Sequence, residues 1–137
     1  MRQFVITLLL MLAVSASAQD AVKINERYFQ AKVNELALRL EMTESQKKKF
    51  VNIYRRYSEE MRAAVGVKQR PTQPLTDEER LEMTRRKMQR QQQAQAIRLR
   101  YVDEFSTILS ASQVSRFFEV ENDIQKKLLQ RRQRAYH

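Results

Sequence analysis

The chain contains no cysteine and no tryptophan, one glycine, two prolines and a single histidine, His137, at its last position. Each scarcity excludes something. Without cysteine there are no disulfides and no thiolate metal sites. Any stability must come from a packed core. Without an interior histidine, neither a Ser/His/Asp nor a Cys/His arrangement can be assembled. Without glycine-rich turns there is no loop to cradle a phosphate. Paired carboxylates such as Glu59-Glu60 and Glu78-Glu79 are present, but their spacing suits a solvated helix face. The composition therefore argues against an enzyme and implies no metal and no cofactor.

The strong helix breakers are confined to one stretch. Gly66, Pro71 and Pro74 all fall between residues 66 and 74, and the rest of the chain is free of both types. Glycine suits the left-handed position just past a helix end. Each proline keeps the residue before it extended. A hinge over residues 66–76 is expected, with helical arms on both sides. No strand-like alternation of useful length appears, so the fold class expected is all-α.

The first residues read as an export signal. Arg2 is followed by an apolar run from Phe4 to Val14 and then by Ala16-Ser17-Ala18. A positive start, a short apolar stretch and a small-x-small site form a secretory signal peptide. The run is shorter than the roughly 20 apolar residues a membrane span needs. Residues 1–18 are expected to be removed, leaving one all-helical domain over 19–137.

Four helices are expected from apolar spacing and capping chemistry. Helix 1 should run from about Asp20 to Leu40, with Val22, Phe29, Val33, Leu36 and Leu40 on one stripe. Three capping boxes mark the other starts. They are Thr43 with Gln46, Thr76 with Glu79, and Ser110 with Gln113. They predict helices over 44–65, 77–108 and 111 to about 134. Phe50, Tyr54, Tyr57, Met61 and Val65 should form the apolar stripe of the second helix. Ala94, Ile97, Tyr101, Phe105 and Ile108 should form that of the third. Val114, Phe117, Ile124 and Leu128 share one face of the fourth. The first half of the third helix, Thr84 to Gln93, has Met88 as its one apolar residue. That half cannot bury a broad face, and the third helix should outrun the second by about 15 Å, so its apolar end should need cover from the fourth helix, the first or a second copy.

The boxes and their surroundings resemble the Spy/CpxP family of periplasmic proteins, whose recurring signature is Leu-Thr-x-x-Gln. The copies here are Met42-Thr43-Glu44-Ser45-Gln46 and Leu109-Ser110-Ala111-Ser112-Gln113. One opens the helix before a proline-containing hinge and the other follows a long basic helix. Lys47-Lys48-Lys49-Phe50 is similar to the family's basic continuation. The resemblance spans Leu36 to Arg132. It implies an elongated four-helix hairpin-type subunit that pairs as a curved antiparallel dimer in the periplasm. It also implies ATP-independent chaperoning of unfolded clients. The alternative it implies is a regulatory protein that restrains a membrane-bound envelope-stress sensor.

The formal net charge of +10 narrows the partners. A basic surface carrying scattered apolar residues attracts acidic or unfolded proteins at long range and holds them with little specificity. The candidate client-binding surface is Arg55, Arg62, Arg85, Arg86, Met88 and Arg90. Export argues against nucleic acid as the working partner. Anionic lipid is a partner that the basic tail, Arg131 to Arg134, would suit.

Overall fold

A computed structural model describes residue 23 and residues 25–66 and 70–135. The expected leader, the expected start of helix 1 at Asp20 and Val22 lie outside the described residues, as do part of the hinge and His137. The fold is all-α. Helix α1 covers residues 25–39. Helix α2 is Glu44–Val65, α3 is Asp77–Ser106 and α4 is Ala111–Ala135. Among the described residues there is no strand, and no helix is long and apolar enough to cross a membrane.

Two helix ends differ from the spacing-based expectation. Helix α1 stops before Leu40, and Glu41 turns the chain with φ at 53°. That left-handed position usually falls to glycine. Helix α3 ends at Ser106 rather than Ile108. Its last turn tightens: the Thr107 N–H donates to the Glu104 carbonyl at 3.2 Å and the Ile108 N–H to the Phe105 carbonyl at 3.1 Å. Ile108 continues the apolar spacing but sits in the turn, half-buried.

The chain divides into two compact units. Met42–Glu119 forms one. Within it α2 and α3 run antiparallel. Arg56 Nη2 meets Glu104 Oε2 at 2.9 Å, Arg100 pairs with Glu60, and the Tyr101 hydroxyl donates to Glu60 Oε1 at 2.7 Å. Phe50, Tyr54, Tyr57, Tyr101, Phe105 and Phe117 are fully buried and form an aromatic core. Its closest pair is Phe105–Phe117, with ring centroids 4.5 Å apart. Tyr57 and Tyr101 meet edge to face at 5.2 Å. Each such pair adds about 0.5–1.5 kcal/mol beyond the area it buries. Burial and the nearby Glu104 carboxylate push the Tyr101 phenol up from its ordinary range. The α2 stripe fades toward the hinge: Met61 is half-buried and Val65 exposed.

The second unit joins α1 to α4 from Val120 onward. Val33, Leu36, Leu40, Val120 and Ile124 are buried. Arg39 Nη1 meets Asp123 Oδ2 at 2.7 Å, and Lys127 reaches the same oxygen at 3.0 Å. The Arg39 guanidinium, helped by Lys127, holds the Asp123 carboxyl below its usual range. Nearer the chain end, the Arg132 guanidinium lies 5.8 Å from the centre of the Tyr28 ring. Pairing 39 with 123 and 28 with 132 makes these helices antiparallel too.

Candidate functional site

Local chemistry sets the helix starts. The Thr43 hydroxyl accepts from the Gln46 N–H at 3.1 Å, and Gln46 Oε1 accepts from the Thr43 N–H at 3.0 Å. Ser110 and Gln113 make the same reciprocal pair at 3.2 and 2.9 Å. Thr76 and Glu79 do so at 3.2 and 2.8 Å. Leu109, just before the Ser110 cap, and Val114, four residues after it, are both buried.

The two glutamines also find each other. Gln46 Nε2 donates to Gln113 Oε1 at 2.9 Å, and Gln113 Nε2 donates to Gln46 Oε1 at 3.1 Å. Gln46 Nε2 reaches the Ile108 carbonyl as well, at 3.2 Å. Each amide oxygen thus caps its own helix and accepts from the other amide. Only a side chain that donates and accepts can do both. The box at Thr76 faces solvent and carries Glu79 instead, where a charge beside the helix N-terminus is favourable. This pairing has a structural role. It ties the start of α2 to the start of α4.

The exposed surface with binding chemistry is the first half of α3. Every residue from Thr76 to Gln93 is exposed, and burial begins at Ala94. That leaves about 25 Å of helix beyond the packed hairpin, at the basic start of α3 and not at the apolar end where an overhang of about 15 Å was expected. Between Glu82 and Asp103 stand Arg85, Arg86, Lys87, Arg90, Arg98 and Arg100, with no acid among them. Glu82 Oε1 takes Arg86 at 3.0 Å and Glu82 Oε2 takes Arg85 at 3.4 Å. Arg86 first and Arg85 second hold the Glu82 carboxyl below its usual range. Met88 is 63% exposed.

The residues proposed from sequence do not form one patch. Arg85, Arg86, Met88 and Arg90 lie within two turns of α3, yet Met88 and Arg90 point about 160° apart around the axis. Arg55 and Arg62 sit on α2, Arg55 half-buried and Arg62 exposed in its last turn. Among the described residues no group of acids or histidine could hold a metal ion. Apolar periodicity already sets Met88 and Leu99 off the main α3 core stripe, and Leu99 is 73% exposed. It missed Leu81, which is 59% exposed and stands in register with Met88. No protein family, curated protein or solved structure matches the chain.

Proposed function

We propose that the protein is an exported, ATP-independent holdase that binds unfolded or partly folded proteins. The observation that carries this is the solvated half of α3, which combines a run of basic side chains with exposed Leu81 and Met88. A helix of that composition buries nothing of its own and presents charge and soft apolar groups together. Charge speeds encounter, and flexible methionine accepts varied apolar shapes. Residues 1–18 would deliver the chain to the periplasm. The mature form should begin at Gln19, which intact-mass measurement checks.

A homodimer belongs to the same proposal. Met83 lies within about 20° of the direction of buried Ala94 and Tyr101 around α3, so a second copy can extend the core seam along the overhang. Sedimentation equilibrium at micromolar concentration tests this, and a fully stable monomer refutes it.

The chaperone test is light scattering from two chemically denatured proteins of opposite charge, with an equimolar amount of this protein. Aggregation should slow most at low salt, where screening is weakest. Charge reversal at Lys87 and Arg90 should slow capture while shifting stability by less than about 0.5 kcal/mol. Reversal at Arg85 and Arg86 is less clean, because it sets new acids beside Glu82. If neither protein aggregates more slowly, the holdase proposal fails and restraint of a membrane-bound sensor becomes the leading alternative.

A further inference from the structure

The antiparallel pair of α1 and the end of α4 has one strongly charged side, which the Arg39–Asp123 bond marks. On α1, Tyr28, Lys32, Glu35 and Arg39 recur at steps of four, three and four, so they point within about 60° of one another. On α4, Asp123, Lys127, Arg131 and Arg134 recur at steps of four, four and three, within about 80°. Arg39 and Asp123 meet across the pair at 2.7 Å. The two stripes therefore lie on the same side and run together for about 16 Å. The Arg132 guanidinium reaches the ring of Tyr28 and brings a further cation to this side. All of these residues belong to one compact unit.

The acids of this face are Asp123 and Glu35. Asp123 is engaged by Arg39 and Lys127. Lys32, Arg131 and Arg134 have no ion pair among the described residues, and Arg132 lies on an aromatic ring. Glu26 is on the far side of α1, about 120–160° from Tyr28, Lys32 and Arg39. On this side the outer turns, from Tyr28 to Lys32 and from Arg131 to Arg134, therefore carry four cations and no acid. A helix C-terminus favours nearby cations. That accounts for the end of α4 and not for Lys32 in the middle of α1.

Such a face calls for an anion, and two observations choose its kind. A protein partner needs a desolvated core of aromatic and aliphatic contacts, and Tyr28, 46% exposed, is the one such side chain on these stripes. Headgroup phosphates need only the cations, and tyrosine suits the depth where lipid meets water. The course of the chain agrees. Lys23, the first described residue, leads into α1 at this end of the pair, and the apolar run of the expected leader closes at Val14, nine residues earlier. Nine residues reach at most about 32 Å, so Lys23 stays within that distance of lipid for as long as the leader is attached. We propose that the face of Lys32, Arg131, Arg132 and Arg134 docks on the surface of an anionic lipid bilayer. This docking goes beyond the holdase reading and does not depend on it.

The test is co-sedimentation of the mature protein, its first residue checked by mass, with lipid vesicles. One set is phosphatidylcholine alone, and the other is phosphatidylcholine and phosphatidylglycerol in about equal parts. Binding should require phosphatidylglycerol and fall steeply with added salt. Each cation near an anionic surface strengthens binding about fivefold. Arg131→Gln with Arg134→Gln should therefore weaken it about 25-fold, and Lys32→Gln about fivefold, at an unchanged thermal melt. Where the double variant melts lower, Arg134→Gln alone, at an exposed position, should still lose about fivefold. Lys87→Gln with Arg90→Gln removes the same charge from the other compact unit and should leave binding within about twofold. Equal binding to neutral vesicles overturns the proposal, as does no loss in Lys32→Gln. An equal loss in the two double variants also overturns it, because net charge alone would then explain the binding. Polyglutamate is the competing occupant. If it binds as tightly as the vesicles and loses affinity in the Arg131/Arg134 variant, the partner is an acidic chain and the proposal falls. Aggregation assays on the same samples separate the two claims. Suppression without vesicle binding overturns only this docking, and vesicle binding without suppression overturns only the holdase.

Discussion

Replacing Gln46 by Glu is the most informative perturbation of the packed hairpin. The carboxylate keeps both acceptor roles of the amide, toward the Thr43 N–H and Gln113 Nε2. It loses both donations, to Gln113 Oε1 at 2.9 Å and the Ile108 carbonyl at 3.2 Å. Gln113 cannot compensate by rotating its amide, because Oε1 would leave the Ser110 N–H it caps at 2.9 Å. A buried acceptor left without a donor costs about 1–3 kcal/mol. The half-buried Ile108 carbonyl loses its side-chain donor, at the low end of that range. Gln113 Oε1 keeps the Ser110 N–H but faces a second acceptor oxygen in place of Nε2, at a similar cost, about 2 kcal/mol together. The opposing gain from a charge near the α2 N-terminus is smaller, about 0.3–1 kcal/mol. A net loss of roughly 1–2 kcal/mol at neutral pH follows. Gln113→Glu removes only the donation to Gln46 among the bonds described and should cost less. Protonation restores one donor, so the folded-state pKa of the new carboxyl should rise above its unfolded value of about 4.3. The deficit is then full above the folded pKa and shrinks as pH falls through it. Urea unfolding of both variants between pH 3.5 and 7, values spanning about three units around that reference, measures this. A Gln46→Glu protein as stable as the parent at pH 7, or a deficit that grows on acidification, would refute the reasoning.

Two further predictions use the same logic. Thr43→Ala should lower global stability by about 1 kcal/mol, whereas Thr76→Ala should fray the start of α3 and leave the unfolding midpoint nearly unmoved, since residues 77–93 pack on nothing described; circular dichroism at 222 nm against denaturant separates them. Asp123 should titrate below its reference of about 3.9, so its pairing stabilises above the unfolded pKa and is lost as pH falls through the lowered folded value; carboxyl NMR shifts should show the midpoint moving back up in Arg39→Gln.

The helix starts at Glu44, Asp77 and Ala111 were legible because capping is local: hydroxyl, backbone and N3 side chain lie within four residues. The core of Phe50, Tyr54, Tyr57, Tyr101, Phe105 and Phe117 was legible from helical spacing. The end of α3 was misread because Ile108 keeps the apolar period while the backbone has already tightened into a turn. The Gln46–Gln113 pairing was hidden by a separation of 67 residues and appears only when two helix starts meet. Met88 and Leu99 could be set off the core stripe by spacing, but Leu81 escaped notice because a residue seven before Met88 also suits a core stripe, and burial decides between the two faces.

The bare half of α3 also separates two stabilities within one helix. From Ala94 onward, opening a backbone hydrogen bond means disrupting the aromatic core. From Asp77 to Gln93 it means only fraying a helix held by intrinsic propensity and the Thr76 box, which is marginal at this length. Amide hydrogen exchange should therefore step from fast to slow near Ala94, with no corresponding break in the backbone. The molecule can lose and regain the ordered form of its basic segment while its core stays shut. A bound partner that orders those turns would register as added protection there and nowhere else.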